Sequence, residues 1–312
     1  MKVIGVVEYG GPEALQIFEV PEPHAGPGQV RIRVHAAAVN PTDTLVRNGS
    51  RAEAQKEFTA PYVPGMDAAG VLDEIGADVD TDLAIGDQVM AVVVPRGSHG
   101  AYSEMVVVPI ESVARVPAGS SLVEAATLPM NGLTARLALD LLALQPGQTV
   151  AVTGAAGAFG GYVVQVAKAD GLRVIADASP ADTALVKALG ADEVVARGDD
   201  VADRIRALVP GGADGLADGA LLNAKALWAV RDGGGLAAVR GVSYDTERGI
   251  TIHPVWIREY AREQAKLDRL RQQVESGAIT LRVAGTFTPE TAGDAHRQLE
   301  AGGTRGRLVI QL

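Results

Sequence analysis

Residues 150 to 168 read VAVTGAAGAFGGYVVQVAK: an apolar stretch, a glycine-rich turn and a second apolar stretch. Within it Ala155, Gly157 and Gly160 fall on the spacing of a dinucleotide-binding fingerprint, with alanine at the first position. The chemistry of such a turn is anion binding. With no side chain at 157 a pyrophosphate can approach the backbone, and with none at 160 a helix can lie close to the preceding strand. The N–H groups and aligned peptide dipoles of the first helical turn then attract the negative charge. Ala156, Gly157, Ala158, Phe159 and Gly160 are therefore the candidate phosphate seat, and the alternative is a tight strand-to-helix corner with no ligand. About 20 residues beyond such a turn, an acidic side chain takes the ribose hydroxyls of NAD, whereas a basic residue accommodates the 2′-phosphate of NADP. Here VIADASPADT supplies Asp177, and Arg197 lies just past the next strand, so the residues by themselves leave NAD and NADP open.

Other chemistries are narrowed by what the chain contains. It has no cysteine, which removes disulfides, thiolate nucleophiles, iron–sulfur clusters and thiolate zinc sites together. Its five histidines, at 24, 35, 99, 253 and 296, include no pair at metal-binding spacing, so no metal site is expected. Among them His99 lies in a loop, RGSHGAY, which makes it a candidate substrate contact. No Gly-x-Ser-x-Gly occurs, which argues against a hydrolase. A net charge of -10 disfavours a nucleic-acid partner, and the Arg-rich stretch at 258 to 271 interleaves its cations with Glu and Asp as a solvated helix face does. No stretch is apolar for long enough to span a bilayer. The first residues carry no export signal, so a cytoplasmic location is expected.

The elements that must hold these residues follow from periodicity. Residues 1 to about 117 are β-rich, with QVRIRVHAAAV alternating at period two and Gly and Pro marking the turns. From residue 149, short apolar strands (TVAVT, LRVIA, DEVVA, DGLAD, GLAAVR) alternate with segments of helical period, the pattern of a doubly wound parallel sheet. RGITIHP is a candidate sixth strand, followed by a helix with Leu267, Leu270 and Val274 on one stripe and Gly277 as its stop. The predicted organisation is α/β. A β-rich domain is expected over residues 1–120 and 277–312, and a dinucleotide-binding domain over 121–276. Arg240 and Gly241 close the fifth strand of the parallel sheet, at the carboxyl edge where ligands sit in this architecture.

The ordered motifs NPTDTLVRNG, PGMDAAGVLDEIG, IGDQVMAV, GAYSEMVVVP, AATLPMNGLTA, GAAGAFGGYVVQVAK and LVKALGADEVV resemble the zinc-independent quinone oxidoreductases, the zeta-crystallin-like group of the medium-chain dehydrogenase/reductase superfamily. The C-terminal AHRQLEAGGTRGRLVIQL resembles that family as well, so the likeness runs nearly end to end. It implies a GroES-like catalytic domain, a Rossmann domain, and a cleft where NADPH (NADH being possible) reduces a quinone or an α,β-unsaturated carbonyl compound. It also implies a homodimer paired through an edge strand at residues 249 to 253. In zinc-dependent relatives a Cys stands at the position of Asn40 and a His at that of Met66, and both ligands are missing here. Similar proteins place the Asn of the NP motif beside the nicotinamide and the Thr of the LTA motif near its ribose or carboxamide. That makes Asn40 and Thr134 the candidate catalytic and cofactor-contacting residues, Asn40 otherwise being a plain turn cap before Pro41. The family's NADP pocket carries Ser, Lys and Tyr, where this chain has Ser179, Thr183 and Arg197. An Arg there is suited to a bidentate phosphate contact and tilts the expectation to NADPH, with Asp177 as the objection.

The resemblance is incomplete where tyrosines follow the NP motif in many quinone reductases: this chain has Leu45 and Arg51. Tyr62 and Tyr102 are alternative hydroxyl donors or simply core residues, and water is a further proton donor. Asp43 is either an orienting group for Asn40 or Arg47, or a turn-capping carboxylate. Two other functions stay in view: an enoyl reductase of a biosynthetic pathway, and a reductase-like protein that binds nucleotide without turnover.

Overall fold

A computed structural model describes residues 1–240 and 245–312. Gly241, singled out with Arg240 above, lies outside the described residues. The chain forms two compact units, one of Met1–Met130, Ala261–Glu275 and Leu281–Leu312, the other of Asn131–Tyr260 and Ser276–Thr280. Leu122–Met130 and the helix ending at Glu275 thus fall in the first unit, although the change of period puts boundaries near 120 and 277.

The first unit opens with a hairpin of β1 (Lys2–Gly5) and β2 (Gln16–Glu19). Its main sheet is built on β3 (Gln29–Val39), whose alternating residues put Val30, Ile32 and Val34 inside and leave Arg33 and His35 outside. After β3 come helices α1 (Pro41–Arg47) and α2 (Ala52–Gln55), then strands β4 (Asp67–Ile75), β5 (Gln88–Val92), β6 (Met105–Pro109) and β7 (Val113–Arg115), and the short helix α3 (Leu122–Ala125). β3 pairs antiparallel with both β4 and β6, and β4 with β5.

The helix α4 (Pro129–Leu142) leads into the second unit, whose strands β8 (Thr149–Thr153), β9 (Arg173–Ala178), β10 (Glu193–Ala196), β11 (Ala213–Asp218), β12 (Val230–Val239) and β13 (Thr251–Val255) are all parallel. Helices α5 (Ala158–Ala169), α6 (Thr183–Ala188) and α7 (Val201–Leu208) connect them. The spatial order β10-β9-β8-β11-β12-β13 is the doubly wound order, with its switch point between β8 and β11. Side chains of β8 are buried throughout, as expected of a strand covered on both faces.

The Arg-rich stretch begins as a 3-10 turn at Ile257–Glu259 and becomes helix α8 (Gln264–Glu275) where Leu267 and Leu270 have a core to enter. β14 (Val283–Phe287), α9 (Ala292–Ala301) and β15 (Arg307–Gln311) complete the first unit, with β15 lying antiparallel to β3. The chain's tail thereby extends the sheet built on β3.

Candidate functional site

In the second unit, the turn between β8 and α5 is held by close backbone packing. Gly154 has φ +66°, a conformation that suits glycine, and a Cβ there would stand 2.9 Å from the Gly219 carbonyl carbon. A Cβ on Gly160 would meet the Gly154 oxygen at 2.4 Å and the Ala155 Cα at 2.8 Å, so only glycine fits. A Cβ on Gly157 would meet only that oxygen, at 3.1 Å. Gly157 N–H donates to the Gly154 carbonyl (2.9 Å), and Gly157 is the N-cap of α5, with no side chain to offer the first turn. Ala158 and Phe159 begin the helix and Ala156 is buried beneath the turn. A twelve-residue helix with a glycine N-cap and no acidic residue in its first turn fits a diphosphate.

The carboxyl ends of the neighbouring strands supply groups that support this turn. At the switch point Thr153 Oγ1 donates to Asp218 Oδ1 (2.6 Å), and Asp218 Oδ2 accepts the Asn223 N–H (2.7 Å). This ties the carboxyl ends of β8 and β11 together. Asp177 is turned toward the glycine turn. Its Oδ1 accepts the Ala155 N–H at 3.2 Å, and the Gly154 amide also bonds it, so the carboxylate braces the glycine turn from below. Burial raises its pKa, and those two amides and the Arg197 charge pull the other way. One residue further, Ala178 is small and buried. Ser179 Oγ donates to Asp182 Oδ2 (2.5 Å), and Thr183 Oγ1 donates to the Ser179 carbonyl (3.1 Å). Arg197 is exposed at the end of β10, and its N–H donates to the Ala178 carbonyl (2.9 Å), so Ser179 and Arg197 share one sheet edge. Arg240 follows β12 with φ +68°. Thr134 is buried in α4.

In the first unit, Asn40 stands at the corner from β3 into α1 and is wholly buried. Its side-chain amide donates to Asp67 Oδ2 (2.6 Å) and to the Ala38 carbonyl (3.3 Å). Asn40 and Asp43 form a capping box at the start of α1, in which the Asn40 backbone N–H donates to Asp43 Oδ2 at 2.8 Å. Asp67, the first residue of β4, accepts the Met130 N–H through its other oxygen (2.6 Å). Burial pushes the Asp67 pKa up to about 6 and the Asp43 pKa up to about 7, against the amide donors that favour both ions. Met66, beside Asp67, receives the Thr42 hydroxyl on its sulfur at 3.2 Å.

Sequence reasoning passed over Asp67, whose role depends on β4 pairing beside Asn40, with Asp67 opposite Ala38. It also set aside His296, which is fully buried on α9. The Tyr102 hydroxyl lies 3.1 Å from His296 Nε2 and 3.2 Å from Asp43 Oδ2. His99 is kept neutral, its pKa lowered to about 4 by burial and by Arg96. Among the described residues no group of three or more His, Asp or Glu stands together as a metal cluster, and no helix is long and apolar enough to cross a membrane.

Comparison with known proteins gives the same architecture. Residues 26–118 match the alcohol dehydrogenase GroES-like domain, and residues 189–310 match the zinc-binding dehydrogenase family. A quinone oxidoreductase of Pseudomonas aeruginosa is 30% identical, over 99% of this chain and 99% of its own. The chloroplastic quinone-oxidoreductase QR1 of Triphysaria versicolor is 35% identical over 62% of this chain, a match spanning 61% of QR1. The crystal structure of an NAD-dependent alcohol dehydrogenase superposes with a TM-score of 0.86 at 30% identity, covering 100% of both chains.

Proposed function

The chain belongs to the zeta-crystallin-like quinone oxidoreductases of the medium-chain dehydrogenase/reductase superfamily, and from that premise we propose that it is an NADPH-dependent reductase of quinones or α,β-unsaturated carbonyl compounds that works without zinc. It is an oxidoreductase of a superfamily that uses nicotinamide cofactors on small molecules. The cofactor, when bound, supplies a hydride and leaves a proton to be delivered from elsewhere. Everything else falls to the protein. The backbone from Ala156 to Gly160 holds the diphosphate, as the close approach permitted at Gly157 allows. Ser179 and Arg197 receive the 2′-phosphate, Arg197 by a charge-assisted contact, and Arg240 adds a contact at the end of β12. Asn40 orients the nicotinamide, and Thr134 holds its ribose or carboxamide. The zinc-independent reading is supported by the donor set: Asn40 and Met66 are poor ligands for that ion, and Asn40 already spends its amide on Asp67.

The observation that carries the preference for NADPH is the orientation of Asp177. Bonded to the Gly154 and Ala155 amides, it is a brace for the turn and no longer an argument for ribose hydroxyls. The ribose edge is then formed by Ala178, Ser179 and Arg197, which present space, a hydroxyl and a cation. NADH is the second reading, favoured by the NAD-dependent alcohol dehydrogenase likeness. Fluorescence titration of wild type and Arg197→Ala with both dinucleotides tests the choice. We expect the variant to bind NADPH about tenfold more weakly and NADH within about twofold of wild type, a lost charged phosphate contact being worth about 1.5–3 kcal/mol. Equal losses for the two would show that Arg197 does not contact the 2′-phosphate and would remove this ground for NADPH.

A further inference from the structure

The first unit contains a buried polar chain that the proposed reduction does not employ. Asp43 on α1, Tyr102 in the loop before β6, and His296 on α9 are all fully buried, and Arg47 at the end of α1 is nearly so. Hydrogen placement along the chain follows from chemistry. Arg47 Nη1 lies 3.4 Å from His296 Nδ1, and a guanidinium can only donate, so Nδ1 accepts and the neutral ring carries its hydrogen on Nε2. That hydrogen goes to the Tyr102 oxygen at 3.1 Å, which directs the phenol's own hydrogen to Asp43 Oδ2 at 3.2 Å. The same Oδ2 accepts the Asn40 N–H (2.8 Å), and Oδ1 accepts the Gly65 N–H (3.0 Å). Every one of these bonds needs Asp43 as an acceptor, which the carboxylate provides in full and the acid only in part. At its outer end the chain is neutralised by Glu300, whose carboxylate lies 2.6 Å from Arg47 Nη2.

The donors to Asp43 come from three separate segments: the end of β3, the loop before β4 and the loop before β6. The carboxylate therefore locks the corner that carries Asn40 to the loop that carries Met66. Tyr102 does more than donate one bond. Gly65 has φ +104°, and a Cβ there would stand 2.6 Å from Tyr102 Cδ1, so the ring is seated directly on that loop.

We propose that Asp43 is the positioning residue for Asn40, with Tyr102 and His296 as its supports: they hold the carboxylate where it fixes the Asn40 and Gly65 amides, and so fix the Asn40 side chain against Asp67. The catalytic part of this inference rests on the reading of Asn40 as a nicotinamide contact. The groups facing Asp43 are the Asn40 and Gly65 amides, the Tyr102 hydroxyl and the Asp67 carboxylate, with His296, Arg47 and Glu300 behind Tyr102. Loss of the Tyr102 bond leaves the ion with fewer donors, so the acid limb of kcat moves to higher pH in Tyr102→Phe.

The test uses the full chain with Asp43→Asn, Tyr102→Phe, His296→Gln and His296→Leu. It measures NADPH binding, kcat for 1,4-naphthoquinone across pH, and amide hydrogen exchange at Asn40 and Gly65. Tyr102→Phe is expected to lower kcat about tenfold while NADPH affinity stays within about threefold, since a small misplacement near the reacting atoms costs rate more than binding. Exchange at Asn40 and Gly65 should quicken about tenfold, with Val34 in β3 unchanged as an internal control. Gln at 296 can accept from Arg47 and donate to Tyr102, so His296→Gln should return kcat to within about threefold of wild type where His296→Leu does not. Should Asp43→Asn fail to fold, Tyr102→Phe carries the same comparison. Unchanged exchange at both amides, an unmoved pH profile, or equal impairment of the two His296 variants would overturn the proposal. If wild type binds NADPH yet reduces no quinone, the functional reading fails, and the exchange data alone then decide whether Asp43 positions Asn40.

Discussion

Asp43 and His296 are buried in opposite electrostatic circumstances, and their effects on stability oppose each other across the same pH range. Burial lifts Asp43 from 3.8 to about 7, so its contribution is fully present below pH 3.8 and is lost as pH rises through 7. His296 falls from 6.5 to about 3, chiefly by burial and secondarily through the Arg47 charge, so its contribution is present above pH 6.5 and is lost as pH falls through 3. Between these windows the two slopes offset. Replacing His296 by Gln removes the acid-side loss, and the variant's melting curves should gain about 2 kcal/mol relative to wild type on going from pH 7 to pH 5. Parallel pH dependences for the two proteins would show that His296 takes no part in that balance. None of this was visible in the sequence. Arg47 and His296 are 249 positions apart, and nothing in AHRQLE marks a histidine as an internal acceptor. The bonds Asp177 makes to the glycine turn are hidden for a more local reason: a strand sends neighbouring side chains to opposite faces, and the sequence does not mark which face position 177 takes.

Strands and their turns were legible because their signals are local. The alternation in QVRIRVHAAAV coincides with β3, and the short apolar runs of the second half coincide with a six-stranded parallel sheet. The Arg-rich stretch becomes α-helical only from Gln264, later than its charge pattern predicts, since charge alternation describes an exposed face and says little about where a buried stripe begins. The β8–α5 turn gives this scale its sharpest prediction, because a Cβ would be crowded far more at Gly160 than at Gly157. Gly157→Ala should keep its melting temperature within about 3 °C of wild type, as the new Cβ faces a single contact at 3.1 Å, yet bind dinucleotide at least about tenfold more weakly. Gly160→Ala should lose about 1–3 kcal/mol of stability, because its Cβ would enter the Gly154 oxygen at 2.4 Å. Thermal melts and dinucleotide titration of both variants separate the roles. If Gly157→Ala binds like wild type, the turn is a packing corner.

At the scale of the whole molecule, the change of period already separates a β-rich unit from a dinucleotide-binding one and returns the chain's tail to the first, and the end-to-end likeness implies the same organisation. The boundaries near 120 and 277 rested on a change of period, but Leu122–Met130 and α8 are helical segments that pack in the β-rich unit, so period alone does not reveal their allegiance. Among the described residues β13 is the edge strand of the parallel sheet. We propose that residues 249 to 253 pair there with a second copy. Light scattering should then give twice the 32.2 kDa chain mass, and a monomer mass would refute it.

The account turns on a dinucleotide diphosphate lying against the amides of Ala156 to Gly160. Isothermal calorimetry with NADPH and NADH on the wild-type chain addresses that claim most directly. Saturable heat with a micromolar NADPH dissociation constant and weaker NADH binding is the predicted result. No heat from either dinucleotide at millimolar concentration would contradict it, and the proposed reductase activity would fall with it.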